Sequence, residues 1–214
     1  MRKWVRKIIC QIRNIFLILL SFSLLIVILY KYLPVHYTGY MLAKNVRQLT
    51  AGQKMQIDHK WVSLEKISPD LVQAVIVSED NWFLIHNGFD FNANRGTISQ
   101  ETACNVFLLP GNNYLKKLLE AYYTMLIEFV WGKKRIMEVY LNSVEMENAV
   151  FGMEAIAQKN FAKPASELTL PEAALIAAAL VNLSESNLSQ PTIHLLRRQA
   201  KIMGLMEDRM EIQW

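Results

Sequence analysis

Residues 74–90 read Ala74-Val-Ile-Val-Ser-Glu79-Asp80-Asn-Trp-Phe83-Leu-Ile-His86-Asn-Gly88-Phe-Asp90. Placed on a helix, Glu79, Phe83 and His86 fall at i, i+4 and i+7 and share one face. An acid, an aromatic ring and an imidazole in register, closed by Gly88, read as a site at a helix end. Upstream, Ser68-Pro69-Asp70 reads as the helix start, with Ser68 at the cap and Pro69 at the first helical position. The spacing therefore predicts a helix from there to about His86. A second acid follows in Lys116-Lys117-Leu-Leu-Glu120. Two carboxylates on separate helices, one beside a basic pair, suit chemistry on a sugar bonded to a phosphate.

Most of the chain around this stretch also has helical spacing. After a polar break at residues 91–95, Thr97–Phe107 reads as a helix and Pro110-Gly-Asn-Asn113 as a turn. Tyr114–Trp131 is the longest amphipathic stretch, where Leu115, Leu118, Leu119, Tyr122, Met125, Leu126 and Phe129 form a broad apolar stripe. Gly132 ends it, and Lys133–Leu141 begins another helix. Phe107-Leu-Leu-Pro110 reads equally well as a membrane-facing strip or as core. Thr169-Leu-Pro-Glu172 is a capping box opening the Ala-rich run Ala173–Leu180, and Arg197–Met206 closes the domain. Strand signals are few, so the fold class is mostly α.

The 214 residues suffice for one domain plus an anchor, and just over half of them are apolar. Residues 14–30 carry no charge and would span roughly 25 Å as a helix, with Trp4 and Tyr30 at the two interfaces. Arg2, Lys3, Arg6, Lys7 and Arg13 precede this run with no acid among them. The positive-inside rule then places the N-terminus in the cytoplasm and residues 31–214 outside. A cleaved signal peptide is the competing reading; no small-x-small site follows the apolar core, which favours an uncleaved anchor. The chain thus divides into a basic cytoplasmic tail (1–13), a transmembrane helix (14–30), a membrane-proximal segment (31–66) and a domain (67–214).

The net charge is +4, of which the first 30 residues contribute +5, so the remainder, with 18 basic and 19 acidic residues, is −1. The basic excess belongs to the anchor, and nucleic acid is excluded as a partner. Cys10 and Cys104 fall on opposite sides of the anchor and cannot pair, and Cys104 reads as a buried free thiol. No His/Cys cluster has metal-ligand spacing.

Five motifs now stand in order. They are Glu79-Asp80-Asn-Trp-Phe83-Leu-Ile-His86-Asn-Gly88-Phe-Asp90, then Arg95-Gly96-Thr97-Ile98-Ser99-Gln100-Glu101, Lys116-Lys117-Leu-Leu-Glu120, Lys134-Arg-Ile-Met-Glu138-Val-Tyr140-Leu141-Asn142 and Arg198-Gln-Ala-Lys-Ile202-Met203. From about Tyr37 to Met203 the chain resembles the peptidoglycan glycosyltransferases. This is the transglycosylase domain of class A penicillin-binding proteins, which also occurs as a monofunctional biosynthetic peptidoglycan transglycosylase behind a membrane anchor. No transpeptidase region follows, so the chain resembles the monofunctional form. The resemblance implies a lysozyme-like, mostly α glycosyltransferase domain behind one N-terminal transmembrane helix, with an apolar region dipping into the membrane. It also implies polymerisation of lipid II into glycan strands at the outer face of the bacterial cytoplasmic membrane, with inversion and release of polyprenyl pyrophosphate.

By resemblance, Glu79 is the general base, and partial desolvation would raise its pKa towards the working pH. Glu120 matches the second essential acid, assisting at the leaving pyrophosphate, with Lys116 and Lys117 neutralising phosphate charge. The alternative for Glu120 is a surface ion pair with Lys116 at i, i+4. Asp80 reads as an orienting acceptor, and Phe83 and His86 as supports in the substrate site. Thr97, Gln100 and Glu101 fall in the substrate-binding motif. Glu138, Tyr140 and Asn142 fit a buttressing helix, and Arg198 reads as structural. The resemblance implies no certain cofactor, and a Mg or Mn ion could bridge the pyrophosphate to Glu120 or Glu101. The partners implied are lipid II, the growing glycan strand and the membrane, together with penicillin-binding transpeptidases and division or elongation proteins.

Departures from the motif pattern gather on the donor side. A segment several turns long, usual between the first two motifs, is missing where Phe91 and Thr97 almost meet. The usual Ser is Gly96, the usual last Gln is Glu101, and a usual Lys is Cys104. Val181-Asn182-Leu183 stands for Pro-Asn-Pro, and Glu147-Asn148-Ala149 for a Gly-rich turn. These changes favour one rival reading, a degenerate relative that binds lipid II or cell-wall partners without efficient polymerisation. A glycan-cleaving lysozyme-like enzyme is a further rival, which the anchor and the Lys116-Lys117-Glu120 cluster disfavour.

Overall fold

The computed structural model describes residues 2–92, 95–181, 188–207, 212 and 214, and among them nine α-helices and one small sheet. Asn182 and Leu183 lie outside the described residues. Helix α1 (Arg2–Tyr32) belongs to a unit of its own, Met1–Leu33, and Pro34–Trp214 is the second unit. At its 31 residues α1 is about 46 Å long, and Trp4–Tyr32 is apolar enough to cross a membrane. It extends well beyond the expected 14–30, because Lys and Arg are good helix formers and nothing in the basic tail breaks the backbone ladder.

The second unit begins with α2 (Gly39–Thr50), whose N-cap Thr38 accepts from the Met41 N–H at 3.1 Å. Its centre is α8 (Leu170–Leu180), opened by the expected capping box of Thr169 and Glu172, with every residue from Ala173 to Leu180 buried. A helix apolar on all sides belongs inside, and its alanines let neighbours approach closely. α3 (Pro69–Glu79) and α9 (Ile193–Glu207) pack on it. Polar ties fix both neighbours: Ser78 Oγ lies 3.1 Å from Ala177 O, Arg198 donates to Ala178 O at 3.2 Å, and Gln199 to Pro171 O at 2.7 Å. A second layer holds α4 (Ile98–Phe107) against α5 (Tyr114–Val130) and α6 (Lys133–Ser143), followed by α7 (Met153–Phe161).

The sheet is a strut of three short strands in the order β1 (Asp58–His59), β3 (Val150–Phe151), β2 (Glu145–Glu147), with β1 parallel and β2 antiparallel to β3. The turn joining β2 to β3 forces Ala149 to a φ of +63°. That is left-handed backbone, costing an alanine roughly 1–2 kcal/mol. Replacing Ala149 with Gly should therefore raise unfolding stability by up to about 1 kcal/mol after its extra chain entropy is subtracted. Urea unfolding of the two proteins checks this.

Two expectations are corrected. Helix α3 stops at Glu79 and does not run to His86. At Asp80 the backbone leaves the helix (φ −152°, ψ 81°), and residues 81–92 form turns and irregular structure. Glu79, Phe83 and His86 therefore do not share a helical face. Continuing the helix would have withheld the Asp80 carboxylate from two donors that it buries with itself: His86 Nε2, 2.9 Å away, and the Ile98 N–H, 3.0 Å away. Ser68 does occupy the N-cap, but its hydroxyl donates to Leu168 O at 3.1 Å and does not cap α3.

The stripe on α5 is also not core. Leu115, Leu118, Met125 and Phe129 are exposed, Phe129 to 90%, and only Thr124 and Ile127 of this helix are buried. The Phe107–Pro110 strip divides. Phe107 stacks on Tyr123 with ring centres 4.5 Å apart and Leu108 is buried, whereas Leu109 is exposed.

Candidate active site

Glu79 arrives on the last turn of α3 and lines a cavity of about 280 Å³ together with Asp80, Asp90, Gly96 and Thr97. Its side chain is only 6% exposed. Two groups attend it. The Arg95 guanidinium lies 3.5 Å from Oε2 and is itself fixed by donating to Val181 O at 2.9 Å. The Ser78 hydroxyl lies 3.3 Å from Oε1, sharing its one proton with Ala177 O. Burial pushes the Glu79 carboxyl above its usual range; Arg95, Ser78 and Arg198 oppose that rise and Asp80 adds to it. A carboxylate with raised proton affinity at the wall of a cavity is equipped to accept a proton.

Behind Glu79 the chain is clasped. Asp80, with its side chain 3% exposed, accepts from His86 and from Ile98. His86 Nδ1 accepts from the Gly88 N–H at 3.0 Å, so the proton on the ring sits at Nε2 and points at Asp80. Thr97 Oγ1 donates to Gly88 O at 2.7 Å and accepts from the Gln100 N–H, while Gln100 Oε1 accepts from the Thr97 N–H. That is a capping box on α4. Gly88 has a φ of +93°, and a Cβ there would stand 2.9 Å from Thr124 Cγ2. Phe83 is fully buried, with Lys133 Nζ 4.7 Å from its ring centre. Lys133 in turn pairs with Glu128 at 2.6 Å, and Glu128 also accepts from Ser99.

The second acid belongs to a neighbouring group. Glu120, half-buried on α5, accepts from Gln100 Nε2 at 3.4 Å. Lys116 reaches Gly111 O at 3.2 Å and the Cys104 thiol rather than Glu120, so the i, i+4 ion pair does not form. Lys117 is exposed. The structure thus brings Glu79, Asp80 and Thr97 to one cavity, with His86 and Phe83 behind it, and sets Gln100 against Glu120 outside its lining.

Glu101 stands between them. It is largely buried, its Oε2 accepts from the Tyr140 hydroxyl at 3.2 Å, and burial together with the nearby Glu79 charge pushes its pKa up to about 7. Tyr140 is fully buried, and Asn142 clamps Val62 through both its N–H and C=O, as a buttressing helix requires. Arg95 as partner of Glu79, and the Ser99–Glu128–Lys133 chain, escaped the sequence reading. Acids and bases at these separations carry no local spacing signal.

A folded-state pKa above the ordinary 4.5 means that the folded chain holds its Glu101 proton more tightly than the unfolded one. Stability is then lost as pH rises through that interval. Glu101→Gln should therefore gain roughly 3 kcal/mol over the wild type by pH 8 and almost nothing near pH 4, as read from thermal melts. Among the described residues no three His, Cys, Asp or Glu side chains are grouped so as to hold a metal ion.

A sequence profile of the Transglycosylase family matches residues 45–96 and 94–207. Biosynthetic peptidoglycan transglycosylase of Bacteroides thetaiotaomicron is 44% identical over 94% of this chain and 88% of its own. The proteins of the same name from Haemophilus influenzae and Bdellovibrio bacteriovorus are 40% and 38% identical, over 96% and 95% of this chain and 87% and 85% of theirs. The first alignment runs 217 columns but covers 94% of 214 residues, about 201, so about 16 columns are filled by the relative alone. The two profile matches meet at residues 94–96, where Phe91 and Thr97 come close in sequence.

Proposed function

Because the chain belongs to the Transglycosylase family, we propose that it is a peptidoglycan glycosyltransferase that polymerises lipid II into glycan strands. The observation that carries the reading is Glu79: a buried, proton-avid carboxylate at the wall of a cavity, held by Arg95 and Ser78. In the proposed step Glu79 takes the proton of the acceptor sugar's 4-hydroxyl. The freed oxygen forms a bond to the donor's anomeric carbon as the bond from that carbon to the pyrophosphate oxygen breaks. The configuration inverts, and polyprenyl pyrophosphate carries the electron pair away. Lys116 and Lys117, near Glu120, offset the charge gathering on that leaving group. A Mg or Mn ion would have to take most of its ligands from the pyrophosphate itself, with Glu120 as the protein's contribution.

The anchor reading assigns residues 1–13 to the cytoplasm and the second unit to the outer face of the cytoplasmic membrane, following the basic residues before the apolar run. The exposed apolar face of α5 suits contact with the same bilayer, where the lipid tails of the substrate lie. Transpeptidases and division or elongation proteins are proposed as partners on the resemblance alone.

The test is glycan synthesis from lipid II by the full-length protein in detergent, resolved on a gel. Glycan product is expected. A well-folded protein that binds lipid II but makes no glycan would support the second reading, a non-catalytic relative. The observations favouring that reading are the acid at Glu101 and the short 91–97 connection.

A further inference from the structure

Glu101 has no ion-pair partner among the described residues, although it is largely buried. Among the described residues its side chain has one hydrogen bond, from the Tyr140 hydroxyl, 3.2 Å from Oε2. It lines a cavity of about 280 Å³ with Tyr40, Cys104, Tyr140 and Glu145, and among the described residues the cation that reaches that lining in an ion pair, Lys44, is taken up by Glu145 at 2.8 Å. The groups facing Glu101 from each side are known. Glu79 comes from α3 and Asp80 from just past its end, Tyr140 from α6, Cys104 from its own helix, and Arg95 from the loop before it, tied to Glu79 and Val181 O. Lys116 and Glu120 of α5 act on Cys104, on its far side. Anions outnumber cations here, and the cations are engaged elsewhere. A buried carboxyl in such surroundings discharges by keeping its proton.

We propose that Glu101 is a positioning residue that works as a protonated, neutral carboxyl, so that it adds no further negative charge beside Glu79. One oxygen accepts from Tyr140, and the other carries an O–H free to donate. In this form Glu101 does the work of an amide beside the pyrophosphate. Once ionised, it sets a second negative charge against Glu79 and against the leaving anion. Its burial supports this, since it raises the proton affinity to about 7. The catalytic arm of the test rests on the glycosyltransferase reading; the spectroscopic arm does not.

The experiment follows glycan synthesis and lipid II binding from about pH 6 to about pH 9 for wild type, Glu101→Gln and Tyr140→Phe. It also records the infrared C=O stretch of protonated carboxyls in the same proteins without substrate. The wild type should show a protonated-carboxyl band that fades above neutral pH and that Glu101→Gln lacks. The ratio of Glu101→Gln to wild-type rate should grow about tenfold per pH unit above the transition. Tyr140→Phe, which removes the donor favouring the ionised form, should move the wild-type transition upward. A rate ratio flat with pH, or no band assignable to Glu101, overturns the proposal. If neither protein makes glycan at any pH, the polymerase reading fails. Lipid II affinity that weakens as the band fades then upholds the proposal, and affinity indifferent to it overturns the proposal.

Discussion

Glu79→Gln is expected to lower glycan synthesis from lipid II by about 10²–10⁴-fold, the range that a positioned general base contributes. The amide keeps the shape of the carboxyl, its one oxygen can still accept from Arg95 while its N–H₂ donates to the Ser78 oxygen, but it has no basic site for the acceptor's proton. Because the folded site raises the pKa of Glu79 by burial, removing the charge should leave the melting temperature unchanged or slightly higher. Loss of rate without loss of fold separates a chemical role from a structural one. Retention of more than a tenth of the wild-type rate would remove Glu79 from the mechanism. In the wild type the same shift places an acid limb on the rate profile, with activity rising as Glu79 loses its proton above the ordinary carboxylate range.

Asp80→Ala is expected to cost about 3–5 kcal/mol of stability, the usual consequence of deleting one partner of a buried, charge-assisted set. Two donors lose their acceptor at once: the His86 Nε2–H and the Ile98 N–H. The Ile98 N–H is buried at the first turn of α4 and, among the described residues, bonds only to Asp80. His86 would also lose the anchor that sets its tautomer, and with it the hold on Gly88. Asp80→Asn should cost less, since one oxygen still accepts while the amide N–H₂ faces a donor. Denaturant unfolding of the three proteins gives the comparison, and equal stability of Ala and wild type would show that the clasp does not bear on the fold.

Much of the fold was readable because its signals are local. Thr169 with Glu172, and Pro69 at the start of α3, declare helix starts within four residues, and the Ala-rich run of α8 declares its own burial. The α5 stripe was read correctly as a stripe, but periodicity gives a face and not its partner; here the face looks outward. The end of α3 was misread because Glu79, Phe83 and His86 keep helical spacing while the deciding interaction is Asp80 with Ile98, eighteen residues on. In the site, the family motifs drew attention to Glu79, Glu101 and Glu120. Their real partners, Arg95, Tyr140 and Gln100, are set by tertiary packing that no single-segment pattern carries.

The short connection between α3 and α4 has a consequence for the unfolded chain. Closing a loop costs entropy that grows only with the logarithm of its length, about 0.6 kcal/mol for each doubling. The stretch that Asp80 staples to Ile98 spans eighteen positions, and an insertion of about as many again would double it. The shorter chain therefore closes this loop at a slightly lower entropic cost, and every contact of the clasp lies within the residues it keeps. As far as chain entropy decides, then, folding is indifferent to the missing stretch, and selection on stability alone would neither remove nor restore it.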